Sequence, residues 1–78
     1  MKINDIVYHV AHPGVSGVVV GPAEGPSYVP GSEWIPVKFS TDVGFTGNKS
    51  VGLRTYWYCS SHLLFKTSKQ ARANHLEL

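Results

Sequence analysis

Four residues with metal-binding or nucleophilic chemistry fall into two pairs of equal spacing, His9-x-x-His12 and Cys59-x-x-His62. A two-residue gap is that of a zinc half-site, in which imidazole nitrogen and thiolate sulfur fill a tetrahedron. Pooled, the four would make a Cys-His₃ set, chemically allowed but less usual than two or more cysteines. The competing reading is structural: His9 packs on a strand, His12 starts the turn before Pro13, His62 caps a short helical turn, and Cys59 is a small buried hydrophobe. Because the gap is common by chance, no metal is expected. A catalytic Cys59–His62 pair needs a base in hydrogen-bond reach and a pocket that lowers the thiol pKa. No nearby acid would orient the imidazole, and no glycine-rich turn would hold an oxyanion. The stretch GFTGNKS, residues 44–50, ends like a phosphate loop. It lacks the four-residue spacing before a Gly-Lys pair and a following helix, so it reads as a turn with a protruding Lys49. Neither enzymatic activity nor a cofactor is expected.

The aromatic residues offer binding chemistry instead. Residues 34–40, WIPVKFS, alternate with a period of two. Ile35, Val37 and Phe39 share one face of a half-buried strand, and Trp34, Pro36 and Lys38 share the other. In 53–59, LRTYWYC, the set Leu53, Thr55, Trp57 and Cys59 is the more apolar and is assigned to the core. Arg54, Tyr56 and Tyr58 are left outside. One patch on adjacent strands would then hold Trp34, Lys38, Arg54, Tyr56 and Tyr58. Rings stack on bases while Lys and Arg meet phosphates, as small barrels grip single-stranded nucleic acid. Aromatics with an arginine are equally typical of protein-interface hot spots. The alternative is that loop 21–33, with Tyr28, folds over the rings and makes them a satellite core.

The elements that must position these residues are short strands divided by glycine and proline. Strands are predicted over 5–10, 16–20, 34–40, 53–59 and 63–66. Residues 21–33, GPAEGPSYVPGSE, hold three prolines and three glycines and predict a long exposed loop. Residues 41–52 predict a second one. Pro36 cannot donate to a ladder, so that side of its strand is expected to be an edge or a bulge. From Ser68 the tail has helix-forming content with little apolar surface, and a frayed or disordered segment is expected there. Five short strands in so little chain predict an all-β, strongly bent barrel with a C-terminal extension. The expected division is a barrel over 3–66 and a basic tail over 67–78.

At 78 residues and 42% hydrophobic, the chain is sized for one small core with little room for a separate cleft. No apolar run reaches the ~20 residues of a membrane span, and the start carries no signal-peptide pattern. A lone cysteine fits a reducing cytoplasm. The net charge of +2 is unevenly placed: residues 1–48 sum to −2 and residues 49–78 to +4. Lys49, Arg54, Lys66, Lys69 and Arg72 supply the positive third, suited to an anionic partner or to plain solubility.

Three stretches, NDIVYHVAHPGVSGVVVG (4–21), WIPVKF (34–39) and YWYCSSHLLF (56–65), resemble the opening, third strand and ending of SH3-like barrels of the KOW and Tudor type and of the CarD N-terminal module. The resemblance implies a five-stranded SH3-like barrel whose fourth strand passes through a one-turn helix into a closing segment. It implies antiparallel pairing of the first and last strands, which would bring His9 and His12 towards Cys59 and His62. It also implies a binding role, since such modules engage RNA, ribosomal proteins or RNA polymerase. The reading that follows is a regulatory module associated with nucleic acid or the transcription machinery. Trp34, Tyr56 and Tyr58 would stack, and Lys38, Lys49, Arg54, Lys66, Lys69 and Arg72 would meet backbone charge. The alternative is an adaptor or inhibitor, such as a phage or mobile-element accessory protein, that binds a larger protein such as a polymerase. A monomer is the default expectation.

Overall fold

A computed structural model describes residues 1–46 and 50–75 of the chain. Five strands form one antiparallel sheet: β1 (Ile6–His9), β2 (Ser16–Val19), β3 (Trp34–Val43), β4 (Arg54–Ser60) and β5 (Leu64–Phe65). A 3₁₀ turn, Ser61–Leu63, joins β4 to β5, and one short helix, α1 (Ser68–Ala73), follows. The strand order is β4-β3-β2-β1-β5. The sheet curls into a half-barrel around Val7, Val19, Ile35, Val37, Phe39, Val43, Trp57, Cys59 and Leu64. These are mostly β-branched and aromatic residues at alternate positions, which fill one side of a pleated surface. No helix among the described residues is long and apolar enough to cross a membrane.

The predicted first and last strands do pair, with Tyr8 opposite Phe65 and His9 opposite Leu64. The third strand runs on to Val43, beyond its expected end, and the closing strand keeps only Leu64 and Phe65. Leu53 corrects the predicted core. It is 72% exposed, because the register slips between Lys38 and Val43 and β4 begins only at Arg54. A period of two loses its meaning across such an irregularity. Pro36 is buried in an interior strand, so of the two expected outcomes, edge or bulge, it is an irregularity in pairing that meets it. Its carbonyl accepts the Val20 amide at 2.9 Å, so its missing donor also faces that side. The paired run of β2 stops there, at Val19.

The tail is helical through local and tertiary anchors rather than apolar area. Thr67 caps α1 by accepting the Gln70 amide, and Ala71 is fully buried. Ser68 Oγ donates to the Pro13 carbonyl at 2.6 Å, and His75 Nδ1 bonds the Val10 carbonyl at 2.6 Å. The helix therefore rests on β1 and β5.

Candidate binding groove

The register of β3 and β4 sets the outer face of the sheet. Trp34 lies opposite Ser60, Pro36 opposite Tyr58, and Lys38 opposite Tyr56. Partners in such pairs share a face. The inner partners, Ile35 with Cys59 and Val37 with Trp57, are all buried. The outward assignment of Trp34, Lys38, Tyr56 and Tyr58 therefore holds, with Trp34 half-buried and the other three exposed. Tyr56 and Tyr58 meet edge to face, their ring centroids 5.9 Å apart.

Loop 21–33 is more ordered than its composition predicts. Its Glu24 forms an isolated antiparallel bridge with Trp34, exchanging both backbone hydrogen bonds. Further along, Ser27 Oγ meets Ser60 Oγ at 2.8 Å, and the Glu33 amide donates to Ser61 Oγ at 2.9 Å. Tyr28 then packs edge-on against Trp34 at 5.4 Å and His62 at 5.7 Å. The loop flanks the rings without sealing them, since Tyr58 stays 49% exposed and Tyr28 67%. What remains is a groove of about 330 Å³ lined by Glu24, Trp34 and Tyr58. The Tyr56 hydroxyl and the Glu24 carboxylate are the charged and polar neighbours that act on the Tyr58 hydroxyl. These neighbours raise its pKa to about 12, so it is a neutral donor at any physiological pH.

The cations expected around the rings disperse. Arg54 Nε donates to the Tyr56 carbonyl at 2.7 Å, and its guanidinium lies 5.1 Å from the centre of the Trp57 ring. It is spent on the strand it belongs to. Lys66, Lys69 and Arg72 are exposed, but they follow β5 or stand on α1, whereas the rings stand on β3 and β4. Lys49 lies outside the described residues. Of the expected cations among the described residues, Lys38 is the one the register sets among the aromatics.

The histidines have other partners, and the thiol is buried. His9 Nδ1 accepts the Ala11 amide at 3.0 Å, which puts the proton of the neutral ring on Nε2. His12 Nε2 donates to the Gly44 carbonyl at 2.7 Å, and His62 Nδ1 bonds Ser60 Oγ at 2.6 Å. Phe45 packs against both His9 and His12. Burial raises the Cys59 thiol to about 12, opposite to what a nucleophile needs. Among the described residues, no group of three or more His, Cys, Asp or Glu is placed to hold a metal ion.

Sequence reasoning missed Glu24 altogether and left Tyr28 as a cover. A single acid inside a glycine- and proline-rich loop carries no periodic signal, and only the bridge to Trp34 places it in the groove. No family model, curated protein or solved structure matches the chain.

Proposed function

We propose that this chain is a non-enzymatic binding module that takes an extended segment of a larger protein along the groove beside Trp34 and Tyr58. The observation that carries this reading is that Glu24 lines the same groove as the rings of Trp34 and Tyr58. A nucleic-acid strand would have to set phosphates beside that carboxylate, and the electrostatics oppose it. A protein segment meets no such penalty. Aromatic rings that present a large, half-buried surface are the usual anchors of protein interfaces. The strand order and the one-turn helix before β5 support the likeness to SH3-like barrels of the KOW, Tudor and CarD type, which host binding roles. Nucleic-acid association remains the second reading, favoured by Lys38 beside Tyr56 and by the cations of the tail.

The test compares the wild-type chain with a Trp34→Ala, Tyr58→Ala pair as bait in a pull-down followed by mass spectrometry. A protein held by the wild type and lost by the pair supports the reading. The opposite result is a mobility shift with oligonucleotides at low salt that the same two substitutions abolish, with no protein lost. That binding would weaken steeply with added salt.

A further inference from the structure

The outer face that carries the groove is electrically bipolar. Glu24 stands opposite Trp34 at one end. Lys38 stands on the same face four residues further along β3 and is exposed. At a rise of about 3.3 Å per residue, the two positions are about 13 Å apart along the strand. Midway lies Pro36, flanked by Tyr58 on β4 and by Val20 on the side of β2. A negative pole, an apolar middle and a positive pole therefore follow one another in a line.

We infer that this face selects an extended protein segment with a basic and an acidic side chain four residues apart and a small apolar side chain between them. The inference rests on the protein-binding role proposed above and adds the chemistry of the partner. A basic head group over the rings of Trp34 and Tyr58 gains the attraction of the ring faces together with that of the Glu24 carboxylate. In an extended chain, side chains two and four residues on project to the same side. Their step equals that of Trp34, Pro36 and Lys38 because both chains are strands. The middle side chain then meets Val20 and the Tyr58 ring, which flank the buried Pro36 and are themselves exposed, and the acidic one reaches Lys38. A helical partner would need about nine residues to cover the same distance, at about 1.5 Å each. Charge of a single sign satisfies one pole and is repelled by the other.

The experiment titrates the ¹⁵N-labelled full chain with three seven-residue peptides, acetylated and amidated, and follows the Trp34 indole and Lys38 amide signals. The first is Gly-Arg-Ala-Val-Ala-Glu-Gly, and the second, Gly-Ala-Arg-Glu-Val-Ala-Gly, has the same composition with its charges adjacent. The third replaces both charged residues of the first with glutamine. The spaced peptide is expected to bind about tenfold more tightly than either control. The exposed pair Glu24→Gln and Lys38→Met should erase that preference, while its spectrum shows the fold intact. Equal binding of the three peptides, a preference that survives in the variant, or no binding by any of them overturns the inference. If these peptides fail while a partner protein still depends on Trp34 and Tyr58, only the bipolar selection falls.

Discussion

His9 is 3% exposed in β1, with its ring against Phe45 and its Nδ1 already accepting the Ala11 amide. A proton added to it would lose that acceptor and place a charge away from water. Burial first, and then the charges of His12 and His62, lower its pKa from 6.5 to about 4. At about 1.4 kcal/mol per pH unit, the gap is worth about 3 kcal/mol. The unfolded chain takes up the proton as pH falls past 6.5, and the folded chain resists until about 4. Stability from His9 is therefore complete above 6.5, declines through that window, and is gone below about 4. A domain of this size holds roughly 4–12 kcal/mol in all, so the loss is a large share. Urea denaturation at successive pH values measures it against His9→Asn. The asparagine Oδ1 can take the place of Nδ1 as acceptor but does not titrate. Subtracting the two curves removes the carboxylates and leaves His9 together with its coupling to His12 and His62. The wild type should lose about 3 kcal/mol more than the variant between pH 6.5 and 4. Parallel curves, or an NMR titration of His9 with a midpoint near 6.5, would refute the argument.

Three other perturbations probe the core behind the groove. Cys59, with its thiol pushed up to about 12 by burial, should be alkylated by iodoacetamide at least about a hundredfold more slowly in the native chain than in urea. Similar rates by mass spectrometry would contradict its burial. Gly17→Ala would bring a Cβ within 2.5 Å of Val37 Cγ1 and 3.1 Å of Phe39 Cδ1. It should cost about 1–3 kcal/mol in denaturation, and an unchanged midpoint would show that β2 gives way more easily than the packing implies. In Trp57→Phe, the Val43 and Arg54 carbonyls lose the indole donor that reaches them at 3.0 and 2.9 Å. The expected loss is about 2–3 kcal/mol, and a loss below about 0.5 kcal/mol would mean that water replaces the donor without penalty.

The parts of the fold that repeat were legible in the sequence, and the parts that do not repeat were hidden. Alternation over 34–39 and 56–59 separated Ile35, Val37, Phe39, Trp57 and Cys59 from Trp34, Lys38, Tyr56 and Tyr58, since a strand imposes that period on its own residues. The same rule carried one step too far assigned Leu53 to the core, because sequence does not mark where a register slips. Arg54 could be placed on β4, but not its turn back onto Tyr56 and Trp57, which depends on rotamer and not on spacing. α1 was underrated for a related reason. It buries one alanine and is tied down by Ser68 and His75, contacts that carry no hydrophobic periodicity. Glu24 is the most consequential omission. Its position in the groove comes from a long-range bridge, not from its neighbours in sequence.

The proline in the middle of β3 has a consequence for how the chain tolerates changes of length. Val20 bonds to Pro36, and pairing with β3 resumes only when Glu24 meets Trp34. Residues 21, 22 and 23 thus stand against Ile35 alone, and Gly21 leaves room for the proline ring, which a Cβ there would approach to 3.0 Å. Where the detour keeps its path, adding or removing one residue in it would set Ala23 or Gly25 opposite Trp34 in place of Glu24 and take the acid out of the groove. The same change near Val29 to Gly31, beyond Glu24, would leave the acid where it is. Insertions and deletions should therefore be accepted at the tip of the loop and rejected at its root, which makes the count of residues between Val20 and Glu24 as much a part of the site as the side chains that line it.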